Sequence, residues 1–495
     1  MAEFWNDTGC NLTYARNYNS FAVSLQNNHS TFQMKRLATY TLGCKLNFSE
    51  TSALAETFLK RGYELVPFGE KADVTIINTC SVTEQADAKC RNIVRRALRA
   101  APESVIAVIG CYAQLEPEAL AAIEGVDVVL GAKEKFELEK YVGEKKNESA
   151  QIFVSDIASV DTFGYGHSVA ISSAQSRTRA YLKVQDGCNY NCSYCTIPLA
   201  RGHSRSESIE KIIEQAKMLI DAGYQEIVLS GVNIGDYGYR PDGTPSQENF
   251  LQLLEALENL PIARLRISSI EPNLLTSPII DFIASSKRIV PHFHLPMQSG
   301  SAYILKLMRR RYNTELYEAR VREVVEKIPD ACIGADVIVG FPNETDEHFE
   351  ETYRFIEALP VAYLHVFTFS KRPNTYAAEL LDKGEWQPVA DKVKQARNRK
   401  LQELSFFKKQ KFAQRFLGKP MQVLFEGEFS DDEELHSGSN APEALYCYGH
   451  TANYLRVGVE VPSKDWANEC LVGKLKPVVL QRLDSELNII GTVVA

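Results

Sequence analysis

DGCNYNCSYCTIPLARG, residues 186–202, holds three cysteines spaced C-x3-C-x2-C inside a turn marked by glycine and asparagine. Structural zinc asks for four ligands, commonly as two separated C-x2-C pairs. Cys188, Cys192 and Cys195 supply three, with no fourth cysteine close by in the sequence. A 4Fe–4S cube held by three thiolates keeps one iron open to a small molecule. Three thiols packed in a loop, or a zinc knuckle completed by His203, are the plainer alternatives. The run follows RTRAYLKVQ, a strand pattern, so the thiols fall at the carboxyl end of a strand.

Downstream, apolar strand and helix patterns alternate: SIEKIIEQAKMLIDAG with QEIVLSGVN, FLQLLEALENL with ARLRISSIEP, SPIIDFIASS with PHFHLPMQSG, TELYEARVREVVEKIPD with CIGADVIVGFP, and DEHFEETYRFIEAL with YLHVFTFS. About six such units predict an incomplete parallel (β/α)6 barrel rather than a full eightfold one. In such barrels the chemistry sits at the strands' carboxyl ends, where Cys188, Gly231, Glu271, Gln298 and Gly340 fall.

Upstream, from Met34 to Val142, strand and helix also alternate, which predicts a parallel α/β sheet. SETSALAETFLKRG reads as a helix with Ser49 at its N-cap. Cys44 in TLGCKLN, Cys80 in INTCSV and Cys111 in IGCYAQ each follow a predicted strand. Loops at the carboxyl ends of such strands face one crevice, so these three thiols can converge on one metal. Buried free cysteine is the alternative for each, and is the reading for the mid-helix Cys90.

The remaining segments are less specific. Residues 1–33 are rich in Asn, Ser and Thr without an apolar period and read as a disordered extension, or as lying before a true start at Met34, with Cys10 inert. The expected divisions are 34–143 for the N-terminal cluster domain, 144–176 for a connector, 177–415 for the barrel and 416–495 for a small antiparallel β-barrel built from short strands between polar turns. An acidic insert, EFSDDEELHSGSN, reads as a surface loop of that barrel. Tyr446, Tyr448, His450, Tyr454 and Arg456 offer it RNA-stacking and cationic groups. Residues 391–420 hold ten cations against Asp391 and Glu403, which suits contact with a phosphate backbone. Eleven cysteines, a 45% hydrophobic share and a net charge of −8 describe an ordinary globular chain with metal or redox chemistry, and not a uniformly basic nucleic-acid binder. No apolar run reaches the roughly 20 residues of a membrane span, and no signal peptide opens the chain, so a cytoplasmic protein without a membrane partner is expected.

The triplet at 188–195 resembles the signature of the radical S-adenosylmethionine (SAM) superfamily. With GC…NTC…GC ahead of it and the small barrel behind, the chain from Met34 onward resembles the methylthiotransferase family, whose last domain is a TRAM barrel. Family branches differ after the first cysteine: GCQMN for isopentenyladenosine in tRNA, GCPKN for a ribosomal-protein aspartate. GCKLN here, with Lys45, and LMRRRY, with Arg309, Arg310 and Arg311, resemble the MtaB branch, which methylthiolates carbon 2 of N6-threonylcarbamoyladenosine beside the tRNA anticodon.

That resemblance implies two 4Fe–4S clusters and SAM as cofactors. The Cys188, Cys192, Cys195 cluster would cleave SAM to a radical. An auxiliary cluster on Cys44, Cys80 and Cys111 would carry the sulfur, and a second SAM the methyl group. It also implies Tyr194, Gly231, Glu271, Gln298, Ile338 and Gly340 as SAM neighbours, with Asp336 and Glu344 weaker candidates. Lys45 would lie near the modified base's carboxylate. Arg91, Arg95, Arg96, Arg99, Arg309 to Arg311, Lys371 and Arg372 would meet the anticodon stem-loop. A reductant such as flavodoxin or ferredoxin is implied, and the sulfur donor is left open. The other two branches are the near rivals, and a non-catalytic zinc RNA-binding protein the remote one.

Overall fold

The structure, a computed structural model, describes residues 34–80, 84–143, 146–167, 178–240, 242, 244–431 and 444–494. The expected extension 1–33, with Cys10, and most of the acidic insert lie outside the described residues.

The first unit runs β1 (Arg36–Thr41), α1 (Lys45–Leu59), β2 (Glu64–Val66), β3 (Val74–Thr79), α2 (Glu84–Ala100), β4 (Val105–Gly110), α3 (Cys111–Leu115), α4 (Pro117–Ala121), β5 (Val128–Leu130), α5 (Leu138–Tyr141) and β6 (Gln151–Phe153). Its strands form a parallel sheet in the order β2-β1-β3-β4-β5-β6. VTIINT of β3 and VIAVIG of β4 are buried along their whole length, as central strands covered on both faces must be. Strands β2 and β6 escape sequence reading because three residues are too few to show a period. Strand β6 comes from the segment read as a connector and pairs with β5. Helix α1 also differs from expectation. It begins at Lys45 with Cys44 as N-cap, because Gly43 turns the chain at φ +98° just before it. Ser49 is not the cap; it is buried within the helix and donates to the Leu46 carbonyl at 2.8 Å.

The second unit holds β7 (Arg179–Lys183), β8 (Gln185–Asp186), α6 (Ile197–Arg201), β9 (Arg205–Ser206), α7 (Ile209–Asp221), β10 (Glu226–Ser230), α8 (Phe250–Glu258), β11 (Arg264–Ile267), α9 (Ser277–Ser285), β12 (His292–His294), α10 (Ala302–Leu307), α11 (Thr314–Lys327), β13 (Cys332–Val339), α12 (Asp346–Ala358), β14 (Tyr363–Thr368), α13 (Tyr376–Asp382) and α14 (Asp391–Gln414). β7, β10 and β11 pair in parallel, as do β12, β13 and β14. Parallel bridges Leu265–Ile289 and Ser269–His294 join the two halves into a six-stranded partial barrel. Its two end strands, β7 and β14, do not pair with each other. Helix α1 of the first unit packs on β7 at that open side.

Much of the charge on α14 serves the fold. Arg397 is buried against Glu344 and Asp346, Lys400 pairs with Glu350 at 3.2 Å, and Lys394 with Asp391 at 3.1 Å. Lys408 donates to the Glu357 and Leu359 carbonyls. The expected continuous phosphate-binding face is therefore interrupted.

The third unit is a closed five-stranded barrel, consistent with TRAM, made of β15 (Pro420–Asp431), β16 (Leu445–Thr451), β17 (Arg456–Glu460), β18 (Leu475–Leu483) and β19 (Ile489–Val493), with α15 (Lys464–Cys470) between β17 and β18. Phe412 and Phe416 extend its apolar core toward the catalytic barrel. Tyr454, at φ +69°, fits under the barrel floor against His292 (4.5 Å between ring centroids), His450 (4.8 Å) and Arg266 (4.9 Å). Arg264 donates to the His450 and Gln422 carbonyls. Tyr446 and Tyr448 are buried. These aromatics thus pack the core and the domain joint instead of presenting stacking faces to RNA.

The segment ahead of β7 is pinned by an acid-sensitive contact. His167 Nε2 donates to Glu56 Oε2 at 3.0 Å, which holds the Glu56 carboxyl down at about 2. A depressed carboxyl stabilises above its unfolded value and loses that contribution as pH falls. Urea titrations across pH 5 to 2 should show a loss of stability smaller in Glu56→Gln than in the parent by on the order of 2 kcal/mol.

Candidate active site

Strands β1, β3 and β4 are sheet neighbours and all parallel, so Cys44, Cys80 and Cys111 emerge at one edge. The approach is close. A Cβ on Gly43 would stand 2.7 Å from Cys80 Cβ and 3.0 Å from its sulfur, and one on Gly110 would stand 2.4 Å from the Thr79 carbonyl oxygen. Both glycines have positive φ, so the turns before Cys44 and Cys111 depend on them. Cys44 is exposed, Cys80 half-buried and Cys111 buried, with burial pushing the Cys111 thiol up. The Asn78 side-chain oxygen behind them is buried without a hydrogen-bond partner.

The second triplet sits on a loop held from several sides. Gly187, at φ +69°, lets the chain pass the His203 carbonyl; a Cβ there would lie 1.9 Å from that oxygen. Cys188 N donates to the Gly202 carbonyl, Ser193 N to Met308, and Ala377 N to Ser193. The sulfurs accept as well: Cys188 from Tyr190 N at 3.4 Å, Cys195 from Ile197 N at 3.4 Å, Cys192 from the Arg310 guanidinium at 3.0 Å. Burial pushes the Cys195 thiol up to about 12. Three thiols with accepting sulfurs suit a three-thiolate iron–sulfur site. The His203 ring is turned to the Asn189 side chain.

The segments that carry the two triplets pack together. Helix α3, opened by Cys111, packs on α6, which follows Cys195 and ends at Arg201. Between them lies a buried ionic hub. Glu50 Oε1 accepts from Lys183 at 2.8 Å and Arg201 at 3.0 Å, and Glu50 Oε2 from Lys135 at 2.7 Å. Asp186 pairs with Lys183 at 2.7 Å and Arg201 at 2.9 Å, with Arg205 3.6 Å away. Arg201 also donates to the Asn47 side-chain oxygen. The cations, Arg201 foremost, hold the Glu50 carboxyl far below its usual range despite its burial. Sequence reading missed this hub. A lysine inside the apolar strand AYLKV and an aspartate two residues before the first loop cysteine were the available signals.

Three of the expected SAM neighbours meet in one place. Tyr194, Gln298 and Ile338 line a cavity of about 260 Å³ together with Cys195, Asp336 and Phe367. Gly231, Glu271 and Gly340 do not line it. Gly231 abuts the Gln185 side chain, the Gly340 amide donates to Glu344 at 2.8 Å, and Glu271 is bonded to Arg310. Of the three arginines at 309–311, Arg310 is turned inward onto Cys192 and Glu271. Arg309 and Arg311 are exposed and lie over Tyr376 (3.5 Å) and Tyr190 (4.0 Å). Lys371 pairs with Asp382, and Arg372 is buried. Arg91, Arg95 and Arg99 line an open groove with Lys146.

Lys45, the first residue of α1, keeps solvent access, with groups of the barrel floor nearby. Burial pushes its ammonium down, and the charged groups acting on it include Tyr454, Arg179, Arg266 and Glu226 of the barrel floor. It makes no hydrogen bond or ion pair among the described residues. Nearby on the barrel's inner wall, His294 is bonded to Ser269 (2.7 Å) and Asp336 (3.1 Å), with the His365 ring 5.6 Å from that of His294.

Residues 182–356 match the Radical SAM superfamily, and residues 36–131 match a family described as Uncharacterized protein family UPF0004. The threonylcarbamoyladenosine tRNA methylthiotransferase MtaB of Bacillus subtilis is 39% identical over 448 residues, 90% of this chain and 93% of the relative. The chain belongs to the MtaB branch of the radical SAM methylthiotransferases. A tRNA-2-methylthio-N(6)-dimethylallyladenosine synthase of Desulforamulus reducens is 30% identical over 84% of this methylthiotransferase and 90% of its own length. The radical SAM methyltransferase TsrM of Kitasatospora setae, at 15% identity and a TM-score of 0.54 over 71% of this chain and 78% of its own, shares the fold. Membership in the superfamily brings SAM and a 4Fe–4S cluster to the methylthiotransferase.

Gly187→Ala tests how strictly the loop geometry is set. The variant should lose most of the iron held by the 188–195 loop, with far-UV circular dichroism unchanged. Gly223→Ala is also left-handed, at φ +89°, but opens onto empty space. It should keep its iron and lose only about 1 kcal/mol of stability.

Proposed function

We infer that this enzyme methylthiolates carbon 2 of N6-threonylcarbamoyladenosine beside the anticodon of tRNA. The observation that carries the reading is the pair of three-cysteine sites brought side by side across α3 and α6, in a chain most of whose length is shared with MtaB. A 4Fe–4S cluster bound by Cys188, Cys192 and Cys195 would supply an electron to SAM for radical chemistry, and one bound by Cys44, Cys80 and Cys111 would supply the sulfur. Carbon 2 of adenine carries an unactivated hydrogen, which is why cofactors must do the hard step.

The chain's own residues bind, orient and enclose. Arg310 fixes the Cys192 sulfur and spends its remaining charge on Glu271. Tyr194, Ile338 and Phe367 give the SAM cavity its apolar walls, and Gln298 and Asp336 give it polar groups. An unpaired base in an anticodon loop enters such a cleft at little unstacking cost. Lys45 suits the carboxylate of the threonyl arm, because a partly desolvated ammonium with no ion-pair partner among the described residues is stabilised by an arriving anion. A dimethylallyl arm has no such group, so Lys45 also favours the threonylcarbamoyl substrate over its rival. Arg91, Arg95, Arg96, Arg99, Arg309 and Arg311 are exposed and positioned to steer the stem. The second cluster, the reductant and a cytoplasmic setting belong to this same reading. No described helix is long and apolar enough to cross a membrane.

The reconstituted enzyme should carry roughly eight irons per chain. Cys44→Ala should lose about half of them and still cleave SAM, whereas Cys188→Ala should not cleave it. Nucleoside mass spectrometry of tRNA from a deletion strain should show threonylcarbamoyladenosine without its methylthio form. An unchanged methylthio level there would refute the substrate assignment.

A further inference from the structure

The hub between the two cysteine sites holds more positive charge than its carboxylates balance. Lys135, Lys183, Arg201 and Arg205 are all buried, and Glu50 and Asp186 are the carboxylates they pair with. Two positive charges are left over in an interior where unpaired charge is costly. Aromatic faces take a small share. Lys135 lies 4.9 Å over Phe136, and Lys183 lies 5.0 Å over Phe136 and 4.9 Å over Phe163.

The rest of the excess is directed at one set of thiols. The Asn47 side-chain oxygen takes a hydrogen bond from Arg201 and lies 3.9 Å from the Cys44 sulfur. Arg201 and Lys135 are the cations that act on Cys111, and Arg201 in turn feels both Cys111 and Cys44. The Cys192 sulfur has a cation of its own in Arg310. The hub therefore faces the N-terminal triplet.

We propose that Arg201 and Lys135 are positioning residues whose charge offsets the thiolates of Cys44, Cys80 and Cys111, and so raises the reduction potential of the cluster those thiolates hold. The assignment rests on the reading that these three cysteines bind a 4Fe–4S cluster. A cluster on three thiolates is a net anion, and its potential follows local charge. One-electron reduction adds negative charge, which a nearby buried cation favours. Glu50 acts in the opposite sense and tempers the effect while fixing the cations in place.

The test uses the full-length chain with Cys188, Cys192 and Cys195 replaced by Ala, so that only the auxiliary site gives a signal, reconstituted with iron and sulfide and titrated redox-potentiometrically with EPR detection. Lys135→Gln should lower the reduced-to-oxidised ratio at fixed potential about tenfold, a downward shift of about 59 mV. Glu50→Gln should shift the midpoint upward. Arg201→Lys, which keeps the charge, should stay near the parent, whereas Arg201→Gln should fall. If Arg201→Gln or Glu50→Gln does not fold, Lys135→Gln against the charge-keeping Lys135→Arg still decides the matter, because a charge effect lowers the midpoint only in the first. Shifts of the same sign in Lys135→Gln and Glu50→Gln, or no shift in either, would overturn the assignment. A parent chain that binds no iron would overturn the second cluster itself, and this assignment with it.

Discussion

A single carboxylate holds the catalytic half of this molecule together. Glu50 is wholly buried and takes hydrogen bonds from Lys135 of its own domain and from Lys183 and Arg201 of the barrel. Removing one partner from such a cluster leaves the others desolvated and uncompensated, which is far more costly than a surface pair. Glu50 ties together, beside the packing of α3 on α6, the segments that carry the two cysteine triplets. Asn47 lies one turn earlier on the same helix and bonds to Arg201, Asp186 bonds to the Gly187 amide at the loop's start, and Arg201 closes the short helix after Cys195. The helix that begins at Cys44 thus carries both an N-terminal thiol and the anchor that sets that thiol's distance from the other triplet.

The partial barrel makes this docking necessary. Six strands do not close, and the gap between β7 and β14 would leave strand edges and inner polar residues open to water. The N-terminal domain presents α1 there, packed on β7 with Lys45 at its first position. The TRAM barrel supports the other end in the same manner, with Tyr454 under the floor and Arg264 bonded to two of its carbonyls.

Much of this was legible in the chain. The cysteine spacings and the strand–helix alternation place both triplets at carboxyl ends of parallel strands, and the structure has them there. Sequence reading failed where tertiary context outweighed local pattern. Ser49 has the chemistry of a cap, but the turn at Gly43 starts the helix earlier. Tyr446, Tyr448, His450 and Tyr454 look like RNA-stacking groups in a list of residues, yet packing at the domain joint and in the small core consumes them. Arg310 resembles its two exposed neighbours in the run RRR and differs only in the direction its side chain takes, which no pattern of charges encodes. Glu271 and Gly340 stand at the expected strand ends, but their polar contacts go to protein groups.

The partners of Glu50 lie 85, 133 and 151 residues further along the chain. During synthesis the N-terminal domain is complete long before Lys183 and Arg201 leave the ribosome, and domains generally fold as they emerge. Until then Glu50 faces solvent at the surface of an unfinished protein, with at most one of its three cations. Docking of the barrel is therefore the event that gives the carboxylate its other two cations, so the order of translation sets the period in which Glu50 lacks them.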